Sequence, residues 1–458
     1  MTYPLVTVYI TNYNYGHFID QAIKSVLNQS LADFELIIID DGSTDKSREI
    51  IEKYSNQGGI NIIYQQNKGL NVTNNIAMRA AHGKYLMRLD ADDYLAPSAL
   101  EKMTAELESD EALGLVFPNY YYVDKDGEII GEEKRHDFQN DVELLDQPAH
   151  GACTMIRLDF LKQVGGYNES YNCQDGYELW LKFTRHFKVS NISQNLFFYR
   201  QHGSNLTGDE NKILSTRARI NEDFVNEQSY DKTAIAIIPV RGGATDIAFS
   251  SLSGVNLLEL KVKKVCQSKN IKRIIITSPD LGVKDLVDTL SSGDIIKFHH
   301  RKKSEARFNQ NLNPTIEEIV KEESRSGLDF RVITLITVEY PFLDVYKIDD
   351  AINTMLVFGS DSIIGVRTDN SVFYQHHGDG LHPILNRDKY TKLEREALFK
   401  QVGGITSVMK DVFIEKKEMI TGNVGHVMMD QLSSLGLFTK VDWQIAESLI
   451  KTKLIKLL

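Results

Sequence analysis

A chain of 458 residues is long for one compact core, so two domains are expected. Hydrophobic residues at 42% and charged residues at 25% are ordinary for a globular protein, and a formal net charge of -11 excludes nonspecific binding to nucleic acid, whose phosphates need a basic surface. Three distant cysteines, Cys153, Cys173 and Cys266, make neither a disulfide framework nor a CxxC metal signature, and they suit a reducing cytoplasm.

The chain opens on "LVTVYIT", a buried-strand pattern with no basic segment and long apolar run of the signal-peptide kind. No stretch of about 18 apolar residues follows, so a membrane span is not expected. "FIDQAIKSVLNQ" has Phe18, Ala22, Ile23, Val26 and Leu27 on one helical face. "FELIIIDDGSTD" reads as a strand ended by a turn cluster, "NIIYQQN" as a strand, "VTNNIAMRAA" as a helix and "KYLMRLDADD" as a strand. Such alternation predicts a mostly parallel sheet covered on both faces. A polar segment, "RARINEDFVNEQSYDKTA", then marks a boundary near 225–232, which divides the chain into domains 1–228 and 229–458. The alternation restarts with "TAIAIIPVRGG" (strand), "LLELKVKKVCQ" (helix), "IKRIIITS" (strand), "VKDLVDTL" (helix), "FRVITLITVEYPF" (strand) and "SDSIIGVR" (strand), and it ends in the helix "WQIAESLIKTKLIKLL". The halves share a class but no motif, and no internal repeat is legible.

The strongest chemical signal is "LMRLDADDYLAP". Asp90 and Asp92 stand two apart at a strand's end, so period two puts both carboxylates on one side of the chain. Ligands of α/β sheets bind beyond the carboxyl ends of the strands, and paired hard oxygens suit Mg²⁺ or Mn²⁺ on a diphosphate. The plainer reading is a turn whose aspartates cap a helix. At the end of an earlier strand, Asp40 or Asp41 could accept hydrogen bonds from a base or ribose.

Taken together, "TNYNYGHFIDQAIKSVLNQ", "IIIDDGSTD", "QNKGLNVTNNIAMRAAHGKYLMRLDADD", "VGGYNESYNCQDGYELWLKF" and "FYRQHGSN" resemble family 2 glycosyltransferases of the GT-A fold, over about residues 4 to 210 and in the family's order. The resemblance implies that Thr11 and Tyr13 line the first nucleotide loop and that Asp41, beside Asp40, reads uracil. It implies that Asn67 and Gly69 form the turn near the nucleotide, that Asp90 faces the ribose and that Asp92 ligates the metal, with His202 a diphosphate or metal contact. A carboxylate of the "QDGYELW" segment would deprotonate the acceptor. The family has a Glu-Asp pair there, whereas this chain has Gln174 and Asp175 followed by Glu178, so the base stays open between Asp175 and Glu178. Trp180 reads as a residue packed inward. The implied activity is metal-dependent, inverting transfer of a sugar from a nucleotide-sugar donor, UDP-sugar being the family's commonest, to a glycan, lipid-linked or protein-linked acceptor in bacterial surface polysaccharide or glycoconjugate synthesis. No QxxRW follows, which argues against a processive membrane-embedded synthase.

In the second half, "AIAIIPVRGG", "SSLSGVNLLELKV", "ITSPD", "TLITVEYPFL", "QVGGITSVMKDVF" and "VDWQIAESLI" resemble CMP-sugar synthetase-type cytidylyltransferases, over about residues 233 to 450. The resemblance implies a second α/β nucleotidyltransferase-like domain. The departures sit at the chemistry. The glycine turn offers only Arg241 and adds Asp246; Glu339 and Asp344 stand where an arginine is expected; Phe438 takes the place of the aspartate that would pair with Asp442. A carboxylate beside a triphosphate is repulsive, so the domain is expected to be non-catalytic. The alternatives are a bifunctional enzyme that makes its own CMP-sugar and a scaffold with two dead sites. His376, His377 and His382 match no standard zinc spacing. The basic, apolar end "LIKTKLIKLL" could touch an anionic membrane surface, although packing on its own domain is the simpler expectation. A cytoplasmic protein is expected from these readings; contact with the inner membrane face and self-association through the second domain are left open as further options.

Overall fold

The computed structural model describes residues 3–202, 210–243, 246–290, 293–306, 310–369, 373–376, 381–383, 398–455 and 457. They form two units, one from the described residues of 1–209 and 370–396, the other from those of 210–369 and 397–458.

In the first unit the apolar runs become strands because both faces are covered. In order come β1 (Val6–Asn12), α1 (Ile19–Leu27), β2 (Phe34–Asp40), α2 (Ser47–Ile51), β3 (Ile60–Tyr64), α3 (Leu70–Ala80), β4 (Tyr85–Asp90), β5 (Tyr94–Leu95) and α4 (Ala99–Ser109). There follow β6 (Leu113–Val123), β7 (Ile129–Glu133), β8 (Met155–Arg157), α5 (Leu158–Gln163), α6 (Asp175–His186) and β9 (Lys188–Arg200). The sheet runs β3-β2-β1-β4-β8-β6-β9-β5, with β7 on β6. Strands β1 to β4 are parallel; β8 is antiparallel to both of its neighbours, and β9 is parallel to β6. The sheet is thus mixed, as the GT-A resemblance implies, and not the mostly parallel sheet that alternation alone predicts. Periodicity alone gives no warning of β6, which carries Pro118 inside the sheet. The ladder accommodates it with register shifts on either side of Asn119, where a missing N–H is tolerated.

The second unit begins with α7 (Glu210–Glu227), which the composition had assigned to the first domain. Asn221 of α7 donates to Asp350 Oδ1 (2.9 Å) and Thr354 Oγ1 (3.1 Å), both in α11 (Val345–Phe358), and Glu222 pairs with Lys269. These contacts move the division from 228/229 to 209/210. Between α7 and α11 lie β10 (Ala234–Pro239), the short hairpin β11 (Ser251–Leu252) and β12 (Val255–Asn256), α8 (Leu257–Val265), β13 (Ile271–Ser278), α9 (Leu281–Leu290), β14 (Ile296–His300), α10 (Asn313–Arg325) and β15 (Val332–Ile336). Then come β16 (Ser362–Asp369), β19 (Leu398–Met409), α12 (Lys410–Lys416), β20 (Val424–Met428) and α13 (Lys440–Lys451); the hairpin of β17 (Tyr374–His376) and β18 (Leu381–Pro383), between β16 and β19 in the chain, counts with the first unit. The main sheet runs β14-β13-β10-β15-β19-β16-β20. Here β19 is antiparallel to β15 and β16, and β20 is parallel to β16.

Without the minor strands β5 and β7, the two main sheets have one topology. Each runs third, second, first, fourth, then the sixth strand antiparallel to both neighbours, then the fifth and the seventh. No sequence repeat reveals this, because buried apolar strands and right-handed crossovers fix the topology without fixing residue identity. The last helix stops at Lys451, and Ile450, Ile455 and Leu457 pack on the second unit's own core. Among the described residues no helix is long and apolar enough to cross a membrane.

Candidate active site

Parallel register brings the carboxyl ends of four strands to one edge of the first sheet. Thr11 of β1 lies beside Asp90 of β4, and Asn12 lies beside Asp40 of β2. Thr11 Oγ1 donates to Asp90 Oδ1 at 2.9 Å. Asp40 accepts from Asn12 Nδ2 (2.6 Å) and from Ser43 Oγ (2.5 Å), which fastens the first loop to the second. Tyr13 stands exposed at the rim.

The Asp41 carboxylate is occupied by the turn that the sequence set near the nucleotide. Its Oδ1 accepts from Gln65 Nε2 (2.7 Å) and Lys68 N (2.8 Å), and its Oδ2 accepts from Gly69 N (2.9 Å). Three of roughly four lone-pair positions are therefore filled inside the protein. Gly69 has φ 88°, a left-handed conformation that glycine adopts without strain, at the start of α3. A side chain at Gly42 would meet Asn67 N at 2.8 Å, so the second loop and the Asn67 turn touch backbone to backbone.

At the centre lies a residue that motif reading passed over. Arg88, in the buried strand just before the acidic pair, is ion-paired through Nε to Asp90 Oδ1 (3.0 Å) and through Nη1 to Asp175 Oδ2. Asn74 Nδ2 reaches Asp175 Oδ2 at 3.4 Å, and Tyr9 OH in turn donates to Asn74 Oδ1 at 3.1 Å. Asp175, the first residue of α6, thus joins the network of Asp90. Glu178 does not. Its carboxylate pairs with Lys182 Nζ at 2.5 Å and accepts from Asn168 N at 3.2 Å, tying α6 to the loop that precedes it. Burial pushes the Glu178 carboxyl up and Lys182 opposes the shift. An arginine within "YLMRLD", two residues before Asp90 and so on its face, was the available sequence signal. His150, against the rings of Tyr120, Phe197 and Tyr199, lies in the same electrostatic field; burial holds its pKa down and the Asp90 charge opposes that.

Asp92 and His202 come together from distant sequence positions, with His202 Nε2 at 2.9 Å from Asp92 Oδ2 and each side chain 9% exposed. Tyr15 and Phe18 hold the imidazole between their rings. Arg200 ties the acidic turn to this strand end: its N–H donates to Asp93 Oδ1 (2.8 Å) and its Nε to the Asp92 carbonyl (2.8 Å). Burial and then the Asp90 charge push the Asp92 carboxyl up, while His202 pulls it down. Burial, then Asp92 and Asp90, push Asp93 up further, and its Oδ2 has no hydrogen-bond partner. Three crowded carboxylates with an imidazole fit a divalent cation, which would relieve their repulsion. Trp180, by contrast, is buried, donates to the Leu145 carbonyl (2.7 Å) and stacks edge-on with Phe117 and Phe138, as a core residue does.

The corresponding edge of the second sheet is built differently. Gly242 N donates to Asp246 Oδ2 (2.8 Å) and Gly243 N to Asp280 Oδ2 (2.6 Å), so both glycine N–H groups already serve carboxylates. A side chain at Gly242 would lie 2.2 Å from Asp280 Cβ, which explains the glycine without a ligand. Asp442 completes a capping box with Thr439 and accepts from Phe438 N (3.0 Å). Lys261 and Lys264 of α8 are buried and donate to the carbonyls of Tyr340 (2.5 Å) and Pro341 (3.1 Å). His377 and the side chain of His376 lie outside the described residues; His382 lies in β18.

Residues 7–165 match the model of "Glycosyl transferase family 2". The chain is 31% identical over 203 residues to a chondroitin synthase of Escherichia coli, covering 44% of this chain and 30% of that one. It is 30% identical over 210 residues to the uncharacterized glycosyltransferase MJ1057 of Methanocaldococcus jannaschii, covering 44% of this chain and 72% of that one. The chain therefore spans less than a third of the synthase's length. Among solved structures, S. aureus TarS 1-349 in complex with UDP overlays with a TM-score of 0.41 at 17% identity, covering 50% of this chain and 68% of that one.

Proposed function

The chain belongs to glycosyltransferase family 2, and from that premise we propose that it transfers one sugar from a UDP-sugar donor to a hydroxyl of a glycan on a lipid or protein carrier, with inversion, in bacterial surface polysaccharide or glycoconjugate synthesis. The supporting observation is the carboxylate network at one sheet edge: Asp90 and Asp175 joined through Arg88, with Asp92 against His202. Thr11 and the Asn67–Gly69 turn border the nucleotide, and Asp90 faces the ribose. Asp40 and Asp41 act mainly by holding the first three loops in register, with one open acceptor position on Asp41 left for a base.

Asp92 and His202 would hold Mn²⁺ or Mg²⁺, which when bound neutralises the diphosphate leaving group. Asp175 takes the proton of the acceptor hydroxyl as that oxygen attacks the anomeric carbon. The bond from that carbon to the diphosphate breaks on the opposite face, and configuration inverts. Arg88 is a positioning residue that holds Asp175 turned toward Asp90. Transfer from a panel of UDP-sugars with Mn²⁺, compared between the native chain and Asp92→Asn, tests the reading. Undiminished metal-dependent turnover in that variant would overturn it.

We read the second unit as cytidylyltransferase-like and without its own chemistry. The first half of that statement rests on the motif resemblance of residues 233 to 450; the repeated strand order adds only that the second sheet has the topology of the first. The second half rests on the Gly242 and Gly243 N–H groups, which are bound to Asp246 and Asp280 rather than free for a triphosphate. Membrane contact through the last helix draws no support from Ile450, Ile455 and Leu457, whose apolar surface is spent on their own unit.

A further inference from the structure

On the second unit, a histidine and two glutamates converge with no role in the reading above. His299 of the edge strand β14 is 7% exposed. Its Nδ1 lies 3.0 Å from Thr277 Oγ1, on the neighbouring strand and in register with it. With Nδ1–H donated to that hydroxyl, the Nε2 lone pair points out of the sheet toward α10. There Glu318 and Glu322, four residues apart on one helical face, each bring an Oε2 to 3.9 Å from Nε2. That separation is beyond a hydrogen bond, so the buried ring nitrogen is aimed at the carboxylates without being bonded to either. All three ligand atoms lie within 4.8 Å of one another. Two like charges one turn apart weaken a helix, whereas the nearby Glu317 has both Lys321 and Lys417 as partners.

We propose that His299, Glu318 and Glu322 form a divalent transition-metal site, of the Zn²⁺ class, that clamps the edge strand β14 to α10. Ligands about 2.1 Å from a tetrahedral ion stand about 3.4 Å apart, so each exposed carboxylate oxygen must come about half an ångström nearer to Nε2. One imidazole and two carboxylates favour a borderline ion over Mg²⁺ or Ca²⁺, and water completes the coordination. Thr277 Oγ1 can accept from Nδ1–H, the tautomer that leaves Nε2 for the ion. The site is independent of Asp92 and His202 in sequence and in unit.

The test uses the full, untagged, metal-free chain carrying Asp92→Asn, so that the acidic turn of the first unit contributes as little as it can. Zinc bound at equilibrium dialysis is counted per chain, then recounted after adding Glu318→Gln and Glu322→Gln, both at exposed helix positions. The expected result is one fewer ion per chain in the added variant, with an unchanged far-UV spectrum, and loss of the zinc-dependent rise in thermal midpoint in Glu318→Gln alone. Equal zinc counts with and without the glutamates, or no zinc bound to either chain, would overturn the proposal.

Discussion

Replacing Arg88 by Met tests the network on which the catalytic reading rests. The guanidinium is 6% exposed and pairs with Asp175, 10% exposed, and with Asp90, 25% exposed. Met matches the length of the stem but leaves two carboxylates without their cation. Removing one partner of a buried pair costs about 3–5 kcal/mol. Asp90 is wet enough to recover part of its share, so most of the cost falls on Asp175. The chain has two tryptophans, Trp180 in the first unit and Trp443 in the second. In a Trp443→Phe background, Trp180 fluorescence therefore reports unfolding of the first unit alone. With a urea slope of about 2–3 kcal/mol/M, the midpoint should fall by about 1–2 M. Adding Asp175→Asn should restore part of the loss, with a coupling energy of about 0.5–3 kcal/mol. A midpoint shift below about 0.3 M, or strictly additive costs, would refute the argument that Arg88 is held by these carboxylates.

Asp92→Asn should lower metal-dependent turnover of a UDP-sugar by at least about 100-fold while urea midpoints stay close to native, because the loss is of cation binding rather than packing; direct assay of released UDP checks it. Asp175→Asn should reduce kcat by about 10²–10⁴-fold with a small change in KM. Glu178→Gln should instead cost stability, by about 1–3 kcal/mol through the broken contact with Lys182, and leave kcat within a few-fold; the reverse pattern would exchange the two roles. Lys261 gives a pH signature. Burial lowers its pKa from 10.5 to about 7 in the folded chain, with Lys264 adding to the shift. Between those values the unfolded chain binds more protons, so the contribution to stability rises with pH and is least below about 7. Lys261→Met should flatten that rise between pH 7 and 9, as read from Trp443 fluorescence in a Trp180→Phe background.

The sequence by itself determined the type of those elements that an unbroken apolar run or helical stripe marks, and that there are two α/β units. Apolar runs of strand length alternating with amphipathic helices leave a parallel sheet as the way to bury both faces, and β13 spans the residues that its apolar run marks out. It also determined the acidic turn, since Asp90 and Asp92 are read from spacing alone. It gave no sign of β6, whose Pro118 breaks the strand pattern, nor of the division at 209/210, which depends on Asn221 finding Asp350 across 129 residues. Only the tertiary structure separated Asp175 from Glu178. Both sit in the first turn of α6, and local periodicity cannot say which one meets a buried arginine from β4. Only the tertiary structure, likewise, showed that the Gly242–Gly243 turn is closed by Asp280, 37 residues away from Gly243, and that two halves without a common motif share one strand order. Periodicity reports which face of an element is buried, whereas the partner a charge finds is fixed by which elements become neighbours.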